Sequence, residues 1–225
     1  MPSLRSLLPP SLAAAVAALA LIPATAPARV TAADASAPVL VVGDSLAVGL
    51  RPYLGNLLGT SVAWDAKSGR TTPQGLVALR AALKMVQPNT VVISLGTNDG
   101  SDPSRFQNRI DKVVATIGPK ACIVWTNIYR PARKGPYVAL NGVLNQEAAR
   151  VQRLHLVDWS RAVARRAVTL PDGLHPDPAG FEYRSRMIAH AVEAQCGGGM
   201  IGDVVDGTSG TGVQSDGTGG VVAPE

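Results

Sequence analysis

The sequence predicts an α/β protein, a three-layer α/β/α sandwich around a five-stranded parallel sheet. Five short apolar runs alternate with segments that have helical spacing. Continuous apolar runs of this kind are typical of parallel strands that are buried on both faces. Hydrophobic residues make up 46% of the 225-residue chain and charged residues 16%, which is a globular composition with room for one domain.

The strand-like and helix-like segments follow one another along the whole body of the chain. The predicted strands are residues 39–42, 61–64, 90–95, 121–126 and 154–157, and the predicted helices are 46–58, 73–86, 105–117, 138–153 and 178–194. Parallel strands joined by helices place their carboxyl ends at one edge of the sheet, where sites gather in such folds. Residues that carry chemistry are therefore expected directly after strands.

The two ends of the chain differ from this body. Residues 1–32 contain a positive Arg5, then an apolar run and small residues, which predicts a secretory signal peptide. The apolar run is short for a membrane span of about 20 residues, and an uncleaved anchor is the alternative. Residues 197–225 are rich in Gly, Ser and Thr and predict a disordered tail. The domain is thus expected at residues 33–196. We expect no integral membrane domain and a location outside the cytoplasm, either secreted or in the cell envelope.

The body of the chain is basic. Two of the 21 basic residues lie in 1–32 and four of the 16 acidic residues lie in 197–225, which leaves 19 and 12. A net charge of +7 favours an anionic surface such as a cell wall or lipid headgroups, and a merely solvated basic face is the alternative. Aromatic residues do not interleave with the basic ones in a nucleic-acid-binding pattern, so no nucleic acid is expected.

The chain has two cysteines, Cys122 and Cys196. Export would permit a disulfide that ties the last predicted helix to a predicted strand. The spacing does not determine the geometry, so free thiols stay open as well. Two cysteines without clustered histidines make no zinc site, and no metal is expected.

Two polar clusters directly follow predicted strands. The GDS segment at 43–45 follows the first strand and opens a helix, where free backbone N–H groups near Ser45 could stabilise an oxyanion. A plain N-cap is the alternative. The GTND segment at 96–99 follows the third strand, and its Asn98 amide could donate to an oxyanion, although these are also ordinary turn residues.

A third cluster, DGLH, precedes the last predicted helix. It places Asp172 three residues before His175 on one loop. A carboxylate in this position can hold an imidazole in the correct tautomer for general-base catalysis, and a surface histidine at a helix entry is the alternative. The other histidines, His155 and His190, lack an acid at this spacing and are interpreted as structural or surface residues.

These clusters, in this order, resemble the SGNH/GDSL hydrolase family over about residues 39–194. The resemblance implies a flavodoxin-like SGNH fold with Ser45 as the nucleophile. It implies an oxyanion hole made of the Ser45 and Gly69 N–H groups and the Asn98 amide. Gly69 is the best match for the second block of the family, and Gly75 lies nearby as an alternative.

The resemblance further implies that Asp172 and His175 complete a catalytic triad. The implied activity is hydrolysis of short-chain or acetyl esters through an acyl-enzyme, on small-molecule or glycan-linked substrates, with no cofactor. A monomer is expected.

A finer resemblance concerns the second half of the body. The VWTN segment at 124–127, Arg130-Pro131, Asn141 and the VDW segment at 157–159 look like the extracytoplasmic SGNH domains of peptidoglycan O-acetyltransferases. The multi-pass acyltransferase that usually precedes such domains is absent from this sequence. Two alternatives to the esterase therefore stay open, an O-acyltransferase acting on cell-wall glycan and a non-catalytic domain that binds glycan.

Overall fold

Five parallel strands form the middle layer of the protein in a computed structural model that describes residues 38–197. The strands are β1 (Val39–Gly43), β2 (Val62–Ala66), β3 (Thr90–Ser94), β4 (Cys122–Thr126) and β5 (Leu154–Val157). Their order in the sheet is β2-β1-β3-β4-β5, and every neighbouring pair is parallel. The predicted α/β sandwich with a five-stranded parallel sheet is confirmed.

Helices cover both faces of this sheet. They are α1 (Ser45–Val48), α2 (Arg51–Leu58), α3 (Thr72–Ala82), α4 (Pro103–Ile117), α5 (Val138–Arg150), α6 (Trp159–Ala164) and α7 (Pro178–Cys196). A 3₁₀ helix, Ala132–Lys134, lies between β4 and α5. The predicted signal peptide at 1–32 and all of the predicted tail except Gly197 lie outside the described residues.

The single helix predicted at 46–58 is wrong, because the structure has two helices there. Pro52 lies in the first turn of α2 and has no N–H to donate to the preceding turn, so the chain starts a new helix. Gly49 ends α1, and a Cβ at this position would lie 2.1 Å from the Phe181 ring. The lack of a side chain at Gly49 therefore lets the Phe181 ring of α7 approach the backbone at the end of α1.

Two apolar cores flank the sheet because alternate strand residues point to opposite faces. On β1, Leu40 and Val42 join the core beneath α3, α4 and α5. Val39 and Val41 join the core beneath α2 and α7. Burial on both faces explains why the strands are mostly apolar rather than alternating, with Asp65 in β2 and His155 in β5 as exceptions.

A disulfide joins Cys122 at the start of β4 to Cys196 at the end of α7. The question that the sequence left open is therefore answered in favour of a bond. The cross-link ties the last helix to the sheet across 74 positions of sequence. Within residues 38–197, no helix is long and apolar enough to cross a membrane.

Candidate active site

The candidate site lies at the carboxyl ends of β1 and β3. The chain leaves β1 towards β2 on one side and returns to β3 on the other, so the strand order reverses at this point. Such a reversal opens a crevice outside the strand ends, which is the usual place for a site in open parallel sheets. Ser45 directly follows β1, and Asn98 lies four residues after β3 ends at Ser94.

The segment that carries Ser45 is packed into the end of the sheet. The backbone N–H of Asp44 donates to the Ser94 carbonyl at 3.0 Å, which continues the strand pairing. A Cβ on Gly43 would lie 2.3 Å from the Ala47 Cβ, so this approach of strand and helix needs glycine. Ser45 is the first residue of α1, and its backbone N–H is among the four that a helix leaves without an internal partner.

Asp44 is fully buried beside the serine. Its carboxylate accepts a hydrogen bond from the Leu46 N–H at 2.9 Å, which caps α1. Burial raises the pKa of Asp44 to about 6, because desolvation penalises the charged carboxylate. The hydrogen bond from the Leu46 N–H and the positive charge of Arg184 act in the opposite direction.

Arg184 is a buried cation that the sequence analysis did not single out. It comes from α7, its guanidinium lies 4.6 Å from the centre of the Trp159 ring, and it donates to Ser94 Oγ at 3.1 Å. Burial lowers its pKa to about 10, and Asp44 counteracts this shift. Arg184 shares one helical face with Ile188 and Val192. Its position on this apolar face indicated in the sequence that it would be buried.

The loop before α7 brings His175 to the serine. His175 Nε2 lies 2.8 Å from Ser45 Oγ, and His175 Nδ1 lies 2.7 Å from Asp172 Oδ2. Asp172 Oδ1 also accepts the N–H groups of Leu174 and His175. The hydrogen bond from the His175 ring, followed by these two backbone bonds, holds the pKa of Asp172 well below its usual range. A carboxylate only accepts, so Nδ1 carries the proton and Nε2 is left to accept from the serine hydroxyl.

Asn98 extends its side-chain amide towards the same place. Its Nδ2 lies 3.2 Å from the Arg70 carbonyl and 3.4 Å from Asp44 Oδ2. Its Oδ1 accepts from Lys134 Nζ at 3.3 Å. The amide thus has two acceptors, the Arg70 carbonyl and the Asp44 carboxylate, and the longer bond is the one to Asp44.

The two candidate glycines of the second block differ in their surroundings. Gly69 lies in an exposed turn after β2, with φ of +74°, next to the Arg70 whose carbonyl binds Asn98. Gly75 lies inside α3 and donates its N–H to the Thr71 carbonyl at 2.9 Å. The N–H of Gly75 is therefore already used, which favours Gly69 as a donor to substrate.

Two further cations border the site, Arg133 and Lys134 of the 3₁₀ helix. Arg133 Nη2 donates to the main-chain carbonyl of Asp172 at 2.9 Å, and Lys134 contacts Asn98. Neither residue was predicted to border the site. Their signal was the three basic residues at positions 130, 133 and 134, in the connection that leaves the carboxyl end of β4.

The other two histidines are not brought to the serine. His155 in β5 and His190 in α7 line a separate groove of about 520 Å³, together with Met187 and Gln195. Burial lowers the pKa of His155. Among residues 38–197 there is no group of three or more His, Cys, Asp or Glu side chains that could hold a metal ion.

Residues 41–183 match the GDSL-like lipase/acylhydrolase family. The chain belongs to this family. The predicted family and the predicted class of enzyme, a carboxylic ester hydrolase, are thereby confirmed. An arylesterase of Vibrio mimicus is 26% identical over 181 residues, which cover 72% of this chain and 90% of that protein.

Solved structures agree with this assignment. The crystal structure of TesA is 25% identical with a TM-score of 0.60, and the match covers 70% of this chain and 98% of that one. The C-terminal catalytic domain of peptidoglycan O-acetyltransferase A from Streptococcus pneumoniae is 18% identical with a TM-score of 0.57. That match covers 72% of this chain and 93% of the domain, and at this identity it shows a shared fold.

Proposed function

We propose that the protein is a secreted serine esterase that hydrolyses acetyl or other short-chain esters through Ser45, His175 and Asp172. The observation that carries the proposal is the 2.8 Å separation of Ser45 Oγ from His175 Nε2, with Asp172 2.7 Å from the other ring nitrogen. A nucleophile, a base and a carboxylate that orients the base, within hydrogen-bond reach of one another, are the parts that covalent acyl transfer needs.

In the first step His175 Nε2 takes the hydroxyl proton while Ser45 Oγ forms a bond to the ester carbonyl carbon. The carbonyl electron pair moves to its oxygen, and Asp172 stabilises the imidazolium that results. The bond to the leaving alcohol then breaks, and the alcohol oxygen takes the proton from Nε2. An acyl-enzyme on Ser45 remains.

The oxyanion would be stabilised by the N–H groups of Ser45 and Gly69 and by Asn98 Nδ2. Donors that are fixed before the reaction need no reorganisation when the charge develops. The Asn98 amide is held from both sides, by Lys134 at Oδ1 and by the Arg70 carbonyl at Nδ2. In the second step His175 activates a water molecule that attacks the acyl carbon, and Ser45 regains its proton.

Secretion is supported by the Cys122–Cys196 disulfide together with the signal peptide predicted at 1–32, because disulfides persist mainly in oxidising compartments. A short acyl chain is supported by the connection at 127–137, which carries a polar 3₁₀ helix beside the site rather than a large apolar insert. Long acyl chains need a buried apolar groove along their length.

An O-acyltransferase acting on cell-wall glycan is the second candidate. It is favoured because two of the residues that resemble such transferases, Arg130 and Asn141, hold the loop beside the site in place. Asn141 donates to the carbonyl of Ile128 and accepts its N–H, both at 2.8 Å, and Arg130 binds the loop that follows. A transferase would use a sugar hydroxyl instead of water in the second step.

The test is a series of p-nitrophenyl esters of increasing acyl length, assayed with the wild type and with Ser45→Ala. We expect the highest kcat/KM on acetate or butyrate and a loss of about 10⁴-fold or more in the variant, since the covalent step is removed. Acetylated peptidoglycan with a released-acetate readout is run beside the series, and glycan acceptors are added to detect transfer.

A well-folded Ser45→Ala protein with full activity would remove the serine from the mechanism. A wild type that is inactive on every ester and yet binds cell-wall glycan would instead support a non-catalytic glycan-binding domain. Transfer of the acetyl group to glycan in preference to water would favour the transferase.

A further inference from the structure

We propose that Arg133 and Lys134 bind an anionic group on the alcohol part of the ester, so that the protein prefers esters of anionic alcohols. The inference rests on the proposed esterase function and names a substrate class for that site. We call Arg133 and Lys134 the cationic rim.

The cationic rim spans the two sides of the candidate site. Lys134 contacts Asn98 Oδ1 on the oxyanion side, and Arg133 contacts the Asp172 carbonyl on the side of the base. Arg133 also lies over Gly173, where an added Cβ would be 3.9 Å from its Nη1. Arginine has five N–H donors and lysine three, so both exposed side chains keep donors for a ligand after these contacts.

The cationic rim stands on an ordered loop. The buried guanidinium of Arg130 donates to the Thr97 and Asp99 carbonyls and to Ser101 Oγ in the connection after β3. It also donates to the carbonyls of residues 135 and 136, directly after the 3₁₀ helix. The backbone that carries the two cations is thereby fastened to the connection that carries Asn98, so their placement is determined by the fold.

Charge around the cationic rim is not balanced by carboxylates. Of the carboxylates nearby, Asp99 is paired with Arg109. Asp172 accepts a hydrogen bond from the His175 ring and keeps its negative charge, so it is one carboxylate beside the two cations of the rim. Arg130 adds a third cation behind the loop. An anion would therefore meet an excess of positive charge there, with free donors to bind it.

The position of the base assigns the anion to the alcohol rather than to the acyl group. His175 Nε2 protonates the leaving alcohol, so the alcohol lies on the His175 and Asp172 side of the serine. Arg133 binds that same loop. A carboxylate and a phosphate on the alcohol are both anions that the cationic rim could bind. The test below distinguishes between these two groups.

The test compares two acetyl esters of equal size, para-acetoxybenzoate and its neutral isostere para-acetoxybenzamide, with acetate release as the readout. We expect the full-length protein to have the higher kcat/KM on the benzoate. Arg133→Gln and Lys134→Gln should each lower the benzoate-to-benzamide ratio of kcat/KM by about twofold to fivefold, as expected for partly exposed charges. Raising the salt to about 0.5 M should lower the wild-type ratio as well.

Lys120→Gln is the matched control, since it removes the same unit of charge from an exposed position just before β4, at the opposite end of the sheet. Its ratio should equal that of the wild type. Para-acetoxyphenyl phosphate serves as a third substrate, and a preference for it over the benzoate would assign the anion to a phosphate.

A wild-type ratio at or below one would overturn the proposal. So would variants that slow both esters equally, because that result would mean that the cations only position Asp172 and Asn98. In either case the esterase stands. A wild type that hydrolyses none of these esters, nor any p-nitrophenyl ester, would count against the proposed function itself.

Discussion

The segment 43–45 and the loop 170–177 meet at the candidate site, but they are stabilised in different ways. Asp44 in the first segment is fully buried, and its backbone continues the sheet. In the loop, the side chains of His175 and Asp172 are 38% and 53% exposed. Local hydrogen bonds hold this loop, among them the Gly173 N–H to the Leu170 carbonyl and the two backbone bonds to Asp172.

The two aspartates of these regions, Asp44 and Asp172, also differ in what shifts their pKa values. Burial raises the pKa of Asp44 to about 6. Hydrogen bonds from the His175 ring and from backbone N–H groups lower the pKa of Asp172. The serine side therefore derives its geometry from the core, and the base side derives its geometry from polar contacts near the solvent.

The largest expected effect concerns the hydrogen bond between Ser45 and His175, which joins the two regions. His175→Ala should lower kcat/KM on p-nitrophenyl acetate by about 10⁴-fold or more, and combining it with Ser45→Ala should add little, because members of a triad act as a unit. Circular dichroism should show both variants folded. Two losses that multiply in the double variant would mean that the residues act independently.

Two glycine substitutions test the packing of each region. Gly43→Ala should lower the free energy of unfolding by about 3 kcal/mol or more, because its Cβ would lie 2.3 Å from the Ala47 Cβ and 2.9 Å from the Ser94 carbonyl. Gly173→Ala meets only ordinary contacts, 3.9 Å from Arg133 Nη1 and from Pro131 Cβ, but has to adopt a φ of +78°, which should cost about 1–2 kcal/mol. Urea denaturation measures both, and a larger loss for Gly173→Ala would reverse the comparison.

A third expected effect, with an upper limit below the loss for Gly43→Ala, is a difference in pH dependence. The pKa of Asp44 is raised from 3.8 to about 6, so the folded protein binds the proton more tightly than the unfolded chain. Relative to Asp44→Asn, the wild type should therefore gain stability as the pH falls from about 6 to about 4, by no more than about 2–3 kcal/mol.

Asp172→Asn is the opposite case. Because the pKa of Asp172 is lowered, its contribution to stability should be present above about pH 4 and disappear as the pH falls further. Urea denaturation at a series of pH values measures both trends. A wild type whose stability relative to Asp44→Asn does not change between pH 6 and 4 would mean that Asp44 is not desolvated as described.

Much of the fold could be predicted from local patterns. The alternation of apolar runs with helical segments led to the correct number of strands, and all five strand positions were close to those observed. The break at Gly49 was not predicted, because the apolar spacing from 46 to 58 continues across it. Pro52, which favours a helix start, was a signal in the sequence that was not used, whereas the approach of Phe181 to Gly49 is visible only in the tertiary structure.

Some residues of the candidate site were predicted from the sequence and others were not. Ser45, Asn98, Asp172 and His175 stand out in the sequence because they are polar residues at strand ends or before a helix, in a recognisable order. Their roles in catalysis stay predictions. Arg184 was overlooked, because an arginine in a helix is ordinarily solvated and only its shared face with Ile188 indicates burial.

The sequence by itself determined the parallel sheet, the order of the polar clusters along it and the edge at which they would meet, because these follow from local periodicity and the direction of the strands. Only the tertiary structure decided that Cys122 bonds to Cys196, that Asp44 and Arg184 are buried together, and that Arg133 reaches Asp172. These contacts join residues far apart in the chain. Their formation depends on side-chain direction and on exclusion of water, which no local pattern records.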